Sequence, residues 1–194
     1  RRSSDLANDN DPDGDRLRIV GLSLPSGGRI AVFPSKLSDF PAENNIIIGN
    51  EFSHLRFAVH YMYSKRGSVA DNVSIGNHIG YALMYSDQLK VTGNISLKDR
   101  DYGLMLNSAR KGDIRDNFIY GTADKCLFFY LAVKNQLIGN RFEGCGIGVH
   151  VTGSDGNLIG GNAFAGNRVQ MHYAGTKSHE WSIDGRGNYW SDNP

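Results

Sequence analysis

Residues 136–142 read QLIGNRF, and residues 158–164 read LIGGNAF. The same apolar-Gly-Asn-x-apolar phrase, loosely kept, stands at 46–52 (IIIGNEF), 90–96 (KVTGNIS) and 113–119 (DIRDNFI). With Asn72, its asparagines are Asn50, Asn72, Asn94, Asn117, Asn140 and Asn162, spaced by 22, 22, 23, 23 and 22 residues. A fixed period marks a repeat architecture, and 22–23 residues is too short for two-helix repeats, which need ~33. Leucine-rich repeats have this period, but their L-x-x-L-x-L-x-x-N phrase is absent and no unit holds an apolar run at helical spacing. Roughly ten residues after each asparagine comes a second alternating segment, such as AVHYMYS, YGLMLNS or GIGVHVTGS. Each unit therefore reads as two or three short strands punctuated by Gly, Asn, Asp and Ser. Stacked at the ~4.8 Å strand spacing, the units predict a right-handed single-stranded parallel β-helix, one unit per rung.

The asparagine column has a physical reason. Asn tolerates the left-handed backbone conformation better than other non-glycine residues, and its amide both donates and accepts along a stack. The six asparagines are accordingly read as a structural ladder rather than a site. After Asn162 the period fails, and EWSIDGRGNYWSD brings Trp181, Tyr189 and Trp190 to where a solenoid core needs covering. The expected organisation is a partial rung and loop over 1–42, the β-helix over 43–175, and the start of a cap over 176–194.

Composition agrees with many tight turns: 24 glycines stand in 194 residues. The net charge of +1 and the absence of a basic run with interleaved aromatics argue against a nucleic-acid partner. No stretch approaches the ~18 apolar residues of a membrane span. The two cysteines, Cys126 and Cys145, form no metal-binding CxxC pair. Placed on adjacent rungs about three residues apart along the strand, they are expected to be free thiols.

Candidate chemistry lies on the longer strand of each rung. Aligning Val59, Leu83, Leu104, Leu127, Val149 and Met171 as inward residues turns the next residue outward, since strand side chains alternate. The outward column then reads His60, Met84, Met105, Phe128, His150 and His172. Imidazole and thioether suit copper, thioether favouring Cu(I). The blander reading is a mixed face covered by a partner, with Tyr61, Tyr63 and Phe128 as aromatic anchors. A different class, a polysaccharide lyase, epimerase or hydrolase, would use Asp101 and Asp124 from neighbouring rungs as a carboxylate pair beside Asp99, Arg100 and Lys125. Turns are ordinarily charged, so solvated loops are the preferred reading there. DNDPDGD, Asp9 to Asp15, opens like a calcium loop, but Val20 stands where its bidentate glutamate belongs.

The phrases RFAVHYMYS, VSIGNHIGYALMYS, RDYGLMLNS, NRFEGCGIGVHVTGS, GNAFAGNRVQ and EWSIDGRGNYWSD, in this order from Arg56 to Asp192, resemble those of the NosD family. GRGNYWSD is the most specific, because it is no ladder phrase. The resemblance implies a non-catalytic periplasmic β-helix protein, bound to the membrane and ATPase subunits of an ABC-type complex. It implies a role in assembling the copper centre of nitrous-oxide reductase, with a copper chaperone lipoprotein and the reductase as partners and Cu(I) as the ion handled. It also implies that the chain is truncated at both ends. It assigns no ligand residues.

Overall fold

A computed structural model of the chain describes residues 18–20, 31–32, 42–175 and 178–192. The Asp9–Asp15 segment lies outside the described residues. Every described element is a strand, and each named strand pairing is parallel. Three seven-stranded sheets run the length of the molecule, which is the parallel β-helix the repeat predicts. Since no described element is a helix, none is long and apolar enough to cross a membrane.

Each rung has one broad strand and two narrow ones. The broad sheet stacks Phe57–Met62, Ile79–Met84, Tyr102–Asn107, Lys125–Tyr130, Ile147–Thr152 and Val169–Ala174. Ala31–Val32 precedes them, pairing with His60 and Tyr61. The narrow strands are three residues long, as Gln136–Ile138 and Arg141–Glu143 show, and the ladder asparagine makes the corner between them. Alternation puts one central side chain of each narrow strand inside. Ile47, Val69, Val91, Ile114, Leu137 and Ile159 form one such buried column. A buried side chain of this size contributes roughly 1.5–3 kcal/mol, so the stacked columns supply most of the driving force.

The corners are held by side-chain amides. Asn117 Oδ1 accepts from the Asn94 backbone N–H at 2.9 Å, and Asn117 Nδ2 donates to Val91 O at 2.9 Å and to Asn140 Oδ1 at 2.8 Å. The chain of bonds links Asn50 to Asn162 and goes one rung further: the Asn162 N–H donates to Asn188 Oδ1 at 3.0 Å. Asn188 belongs to GRGNYW, so the ladder phrase does return after the period breaks. A second ladder at another corner runs from Asn135 through Asn157 to His179, whose Nδ1 accepts the Asn157 N–H at 3.1 Å. Burial holds the His179 pKa below the usual histidine value, which keeps that nitrogen free to accept.

The third corner is irregular and carries a buried carboxylate. Asp99 Oδ1 accepts from the Asn77 N–H at 2.7 Å, and Asp99 Oδ2 accepts from the Ser74 and Ser96 hydroxyls at 2.6 Å each. The two serines replace apolar residues in the inward column of a narrow sheet that otherwise holds Phe52, Ile119, Phe142 and Phe164. Gly80 is required beside this knot, because a Cβ there would lie 2.6 Å from Asp99 Oδ2 and 2.5 Å from the Gly103 carbonyl. At the far end Trp190 stacks on Phe164 with ring centroids 4.5 Å apart, and Trp181 also packs on the core.

The expectation of two free thiols is overturned. Cys126 and Cys145 are disulfide-bonded, with Cα atoms 5.6 Å apart, and no described cysteine is free. Cys145 occupies the corner before the Ile147–Thr152 strand, where its N–H donates to Asn167 Oδ1. The residues separating it from the strand are spent turning that corner. An offset that would be too long along a straight strand is thereby folded into bonding range.

Candidate functional site on the broad sheet

The outer surface of the broad sheet is built from three columns of side chains. Pairing places His60, Ala82, Met105, Phe128, His150 and His172 in the central one. Met84 is not a member. It stacks on Met62 in the neighbouring column, and Ala82 takes the place expected for it. The register expected from sequence set Leu83 opposite Val59, whereas Tyr81 is the true partner. A slip of two residues keeps every side chain on its own face, so hydrophobic alternation does not detect it.

The slip nonetheless creates a contact. Met84 reaches diagonally toward the preceding rung, and its Sδ lies 3.2 Å from His60 Nε2. Phe57 supports the same imidazole, stacked with centroids 4.6 Å apart. Met105, expected to be accessible, is only 7% exposed between Ala82 and Phe128 and is withdrawn as a surface ligand. Further along, the Phe128 ring lies 5.1 Å from His150, and His150 lies 4.4 Å from His172. Burial, then the neighbouring His172 and Lys125, lower the His150 pKa, with Asp124 opposing them. The imidazole is therefore held in its neutral form, which has a lone pair to offer. Its Nδ1 is buried without a hydrogen-bond partner, while Nε2 sits 3.3 Å from Thr152 Oγ1.

Tyr61 is not an exposed anchor. It points inward, is 0% exposed, and donates its hydroxyl proton to the Asn45 carbonyl at 2.9 Å. The same alternation that turns His60 outward turns Tyr61 inward. Burial raises its pKa well above the ordinary tyrosine value. Tyr63 is exposed and stacks on Tyr85 with centroids 5.1 Å apart. Both adopt the left-handed conformation, φ 54° and 49°, which bulky side chains seldom do. Tyr130 and Leu131 are also exposed beside the central column. Met171, expected inside, is 42% exposed on the last described rung of the sheet.

The carboxylates of the enzymatic alternative are scattered in role. Asp99 is a buried corner residue, as described above. Asp101 faces His78 Nδ1 at 3.7 Å, and Asp124 pairs with Lys125 Nζ at 2.5 Å, both on exposed side chains. Lys125 also lies over the Tyr102 and Phe128 rings at 5.1 and 5.6 Å.

The described residues define a parallel β-helical solenoid whose broad face combines exposed aromatics with imidazole and thioether groups. More narrowly, the chain belongs to the NosD family: residues 35–194 match the family model described as periplasmic copper-binding protein (NosD). It is similar to the probable ABC transporter binding protein NosD of Stutzerimonas stutzeri, 43% identical over 127 residues, covering 58% of this chain and 29% of that protein. The Pseudomonas aeruginosa protein of the same name is 43% identical over 121 residues, covering 55% and 28%. The aligned part thus spans under a third of the length of these relatives.

The donors on the broad face fit copper. His60 and Met84 bring together, at 3.2 Å, the imidazole nitrogen and thioether sulfur that a soft Cu(I) ion takes. No group of three or more His, Cys, Asp or Glu among the described residues is placed to hold a metal.

Proposed function

We propose that this chain is part of a periplasmic, non-catalytic scaffold that serves copper-centre assembly in nitrous-oxide reductase. An ATP-driven ABC-type membrane complex holds the scaffold, and its broad face docks a copper chaperone lipoprotein or the apo-reductase. Cu(I) is handled there, by His60 and Met84 in the first instance. The observation that carries this reading is the His60–Met84 contact on an apolar outer face. The family description supports copper and the periplasm, and the relatives' names support the transporter and a binding rather than catalytic role. The disulfide suits an oxidising compartment. Tyr63 and Phe128 are the docking anchors retained from the sequence reading, with Tyr85 added beside them.

The scaffold role of the face follows from its stiffness. Rungs hydrogen-bonded on both sides hold outward residues at fixed spacing, so a partner meets a pre-organised surface. An ion held by two protein donors keeps coordination positions for the partner's ligands, which allows hand-over without release into solvent.

The test is a competitive titration of the intact protein with Cu(I) under reducing conditions against a chromophoric chelator. About one ion per chain should bind in competition, and Met84→Leu should weaken it by ~10-fold or more, the loss expected when a soft ligand is removed. Unaltered Cu(I) binding in Met84→Leu and His60→Phe would overturn the assignment of these ligands.

A further inference from the structure

The four candidate ligands that remain from the sequence column, His60, Met84, His150 and His172, do not form one stripe. Ala82 interrupts the central column after His60, and Met105 is covered. What remains is a nitrogen–sulfur pair, His60 with Met84, and a nitrogen–nitrogen pair, His150 with His172. Met84 and His150 stand three rungs apart, about 14 Å at the strand spacing, and His60 and His150 about 19 Å apart. Metal–ligand bonds are roughly 2.0–2.3 Å, so no single ion reaches both pairs. The Phe128 ring stands between them in the column, against His150.

The two pairs also differ in chemistry. Thioether selects Cu(I), whereas paired imidazoles take borderline divalent ions, Cu(II) most tightly in the first-row series. At His150 the local bonding leaves one nitrogen ready. The Thr152 hydroxyl lies 3.3 Å from the Ala174 carbonyl as well as 3.3 Å from His150 Nε2. With its proton given to that carbonyl, its oxygen accepts from Nε2–H and Nδ1 keeps a lone pair. That Nδ1 is the buried nitrogen without a partner. An unsatisfied buried polar atom is uncommon and calls for a ligand or a cost.

We infer that the broad face carries two separate metal ports: His60–Met84 for Cu(I), and His150–His172 for a divalent ion, Cu(II) foremost. Each is completed by donors from the docked partner. The inference deepens the metal-handling reading above and rests on it for the first port. The second port stands on its own geometry. No electron passes between the ports; they differ in the ion each accepts.

The experiment is a pair of titrations of the intact protein, one with Cu(II) in a non-reducing buffer and one with Cu(I) under reductant. Each is run on the unaltered protein and on His172→Ala, His150→Phe and Met84→Leu, with a circular-dichroism melt confirming each fold. His150→Phe keeps a ring against Phe128, so the stack survives if His172→Ala proves unstable. The His variants should lose ~10-fold or more in Cu(II) affinity and keep Cu(I) affinity within about 2-fold, with Met84→Leu doing the reverse. Electron paramagnetic resonance of the Cu(II) form should show coupling to two imidazole nitrogens, and to fewer in either His variant. Cu(II) binding indifferent to both His variants would overturn the second port and leave the Cu(I) reading standing. Loss of both ions in every variant would overturn the separation into two ports. No Cu(I) binding by the unaltered protein would overturn the first port together with the function proposed above.

Discussion

Cys126 and Cys145, 19 residues apart in sequence, are bonded across the corner that leads into the broad sheet and tie two successive rungs together. Cys126 lies inside the strand Lys125–Tyr130, whose outer side carries Phe128, and both cysteines belong to the buried core. The bond therefore restrains the part of the solenoid that presents Phe128 and His150.

Breaking it should cost stability without abolishing the fold. For a closed loop of this size the loss is about 3 kcal/mol in the chain-entropy model. Urea unfolding of Cys126→Ala/Cys145→Ala against the oxidised protein reads this directly. Two reactive thiols in the native purified protein, or an unchanged midpoint, would contradict the pairing.

Replacing Asn117 by Leu should be among the most damaging single changes. Asn117 makes side-chain bonds to Val91, Arg115, Asn140 and Asn94, all of which would lose their partner inside the stack. At roughly 1–3 kcal/mol per orphaned buried group, a cost of at least about 3 kcal/mol is expected. A cost below ~0.5 kcal/mol would be that of a surface position and would refute the buried ladder.

Asp99 links stability to pH with a defined sign. Burial raises its pKa above the ordinary value of 3.8, and the bonds from Ser74, Ser96 and Asn77 offset this only in part. The folded state then holds the proton more tightly than the unfolded one. Its contribution is fully present below pH 3.8 and is lost as pH rises through the folded pKa. Asp99→Asn, nearly isosteric and never charged, should gain stability relative to the unaltered protein as pH rises from 4 to 7. Chemical denaturation of both proteins across this range gives the difference. A gap that stays constant with pH would show that the carboxyl titrates normally.

Tyr61 and Phe128 should separate stability from docking. Truncating Tyr61 to Ala removes a fully buried ring and one of the two donors to the Asn45 carbonyl, which keeps the Ser68 N–H, costing about 3–5 kcal/mol. Phe128→Ala should cost well under half as much. It should instead weaken binding of the copper chaperone or reductase in a pull-down with purified partners. Equal destabilisation by the two changes would place Phe128 in the core and remove it from the docking face.

Much of this molecule is legible as a pattern. The phrase around Asn50, Asn94, Asn117 and Asn140 dictates the rung, because a turn residue at constant spacing can close a coil in few ways. Alternation likewise identifies Val59, Leu104 and Val149 as inward without reference to neighbours. The same alternation misled at Met84, since its period of two is blind to a two-residue slip. Tyr61 was misread against that very rule, as His60 outward requires it inward. The ladder's extension to Asn188 was present in GRGNYW but masked by a longer interval.

What the sequence by itself determined is the repeat, the strand character and the sidedness of each strand, because these depend on residues near one another along the chain. Only the tertiary structure decided which rung neighbour each side chain meets. That is where His60 finds Met84, His150 finds His172, and Cys126 finds Cys145. Those contacts depend on how many residues each corner consumes, and a corner's length is set by its packing rather than by its hydrophobic period. The candidate site is made wholly of such contacts, so it emerges only when the rungs are stacked.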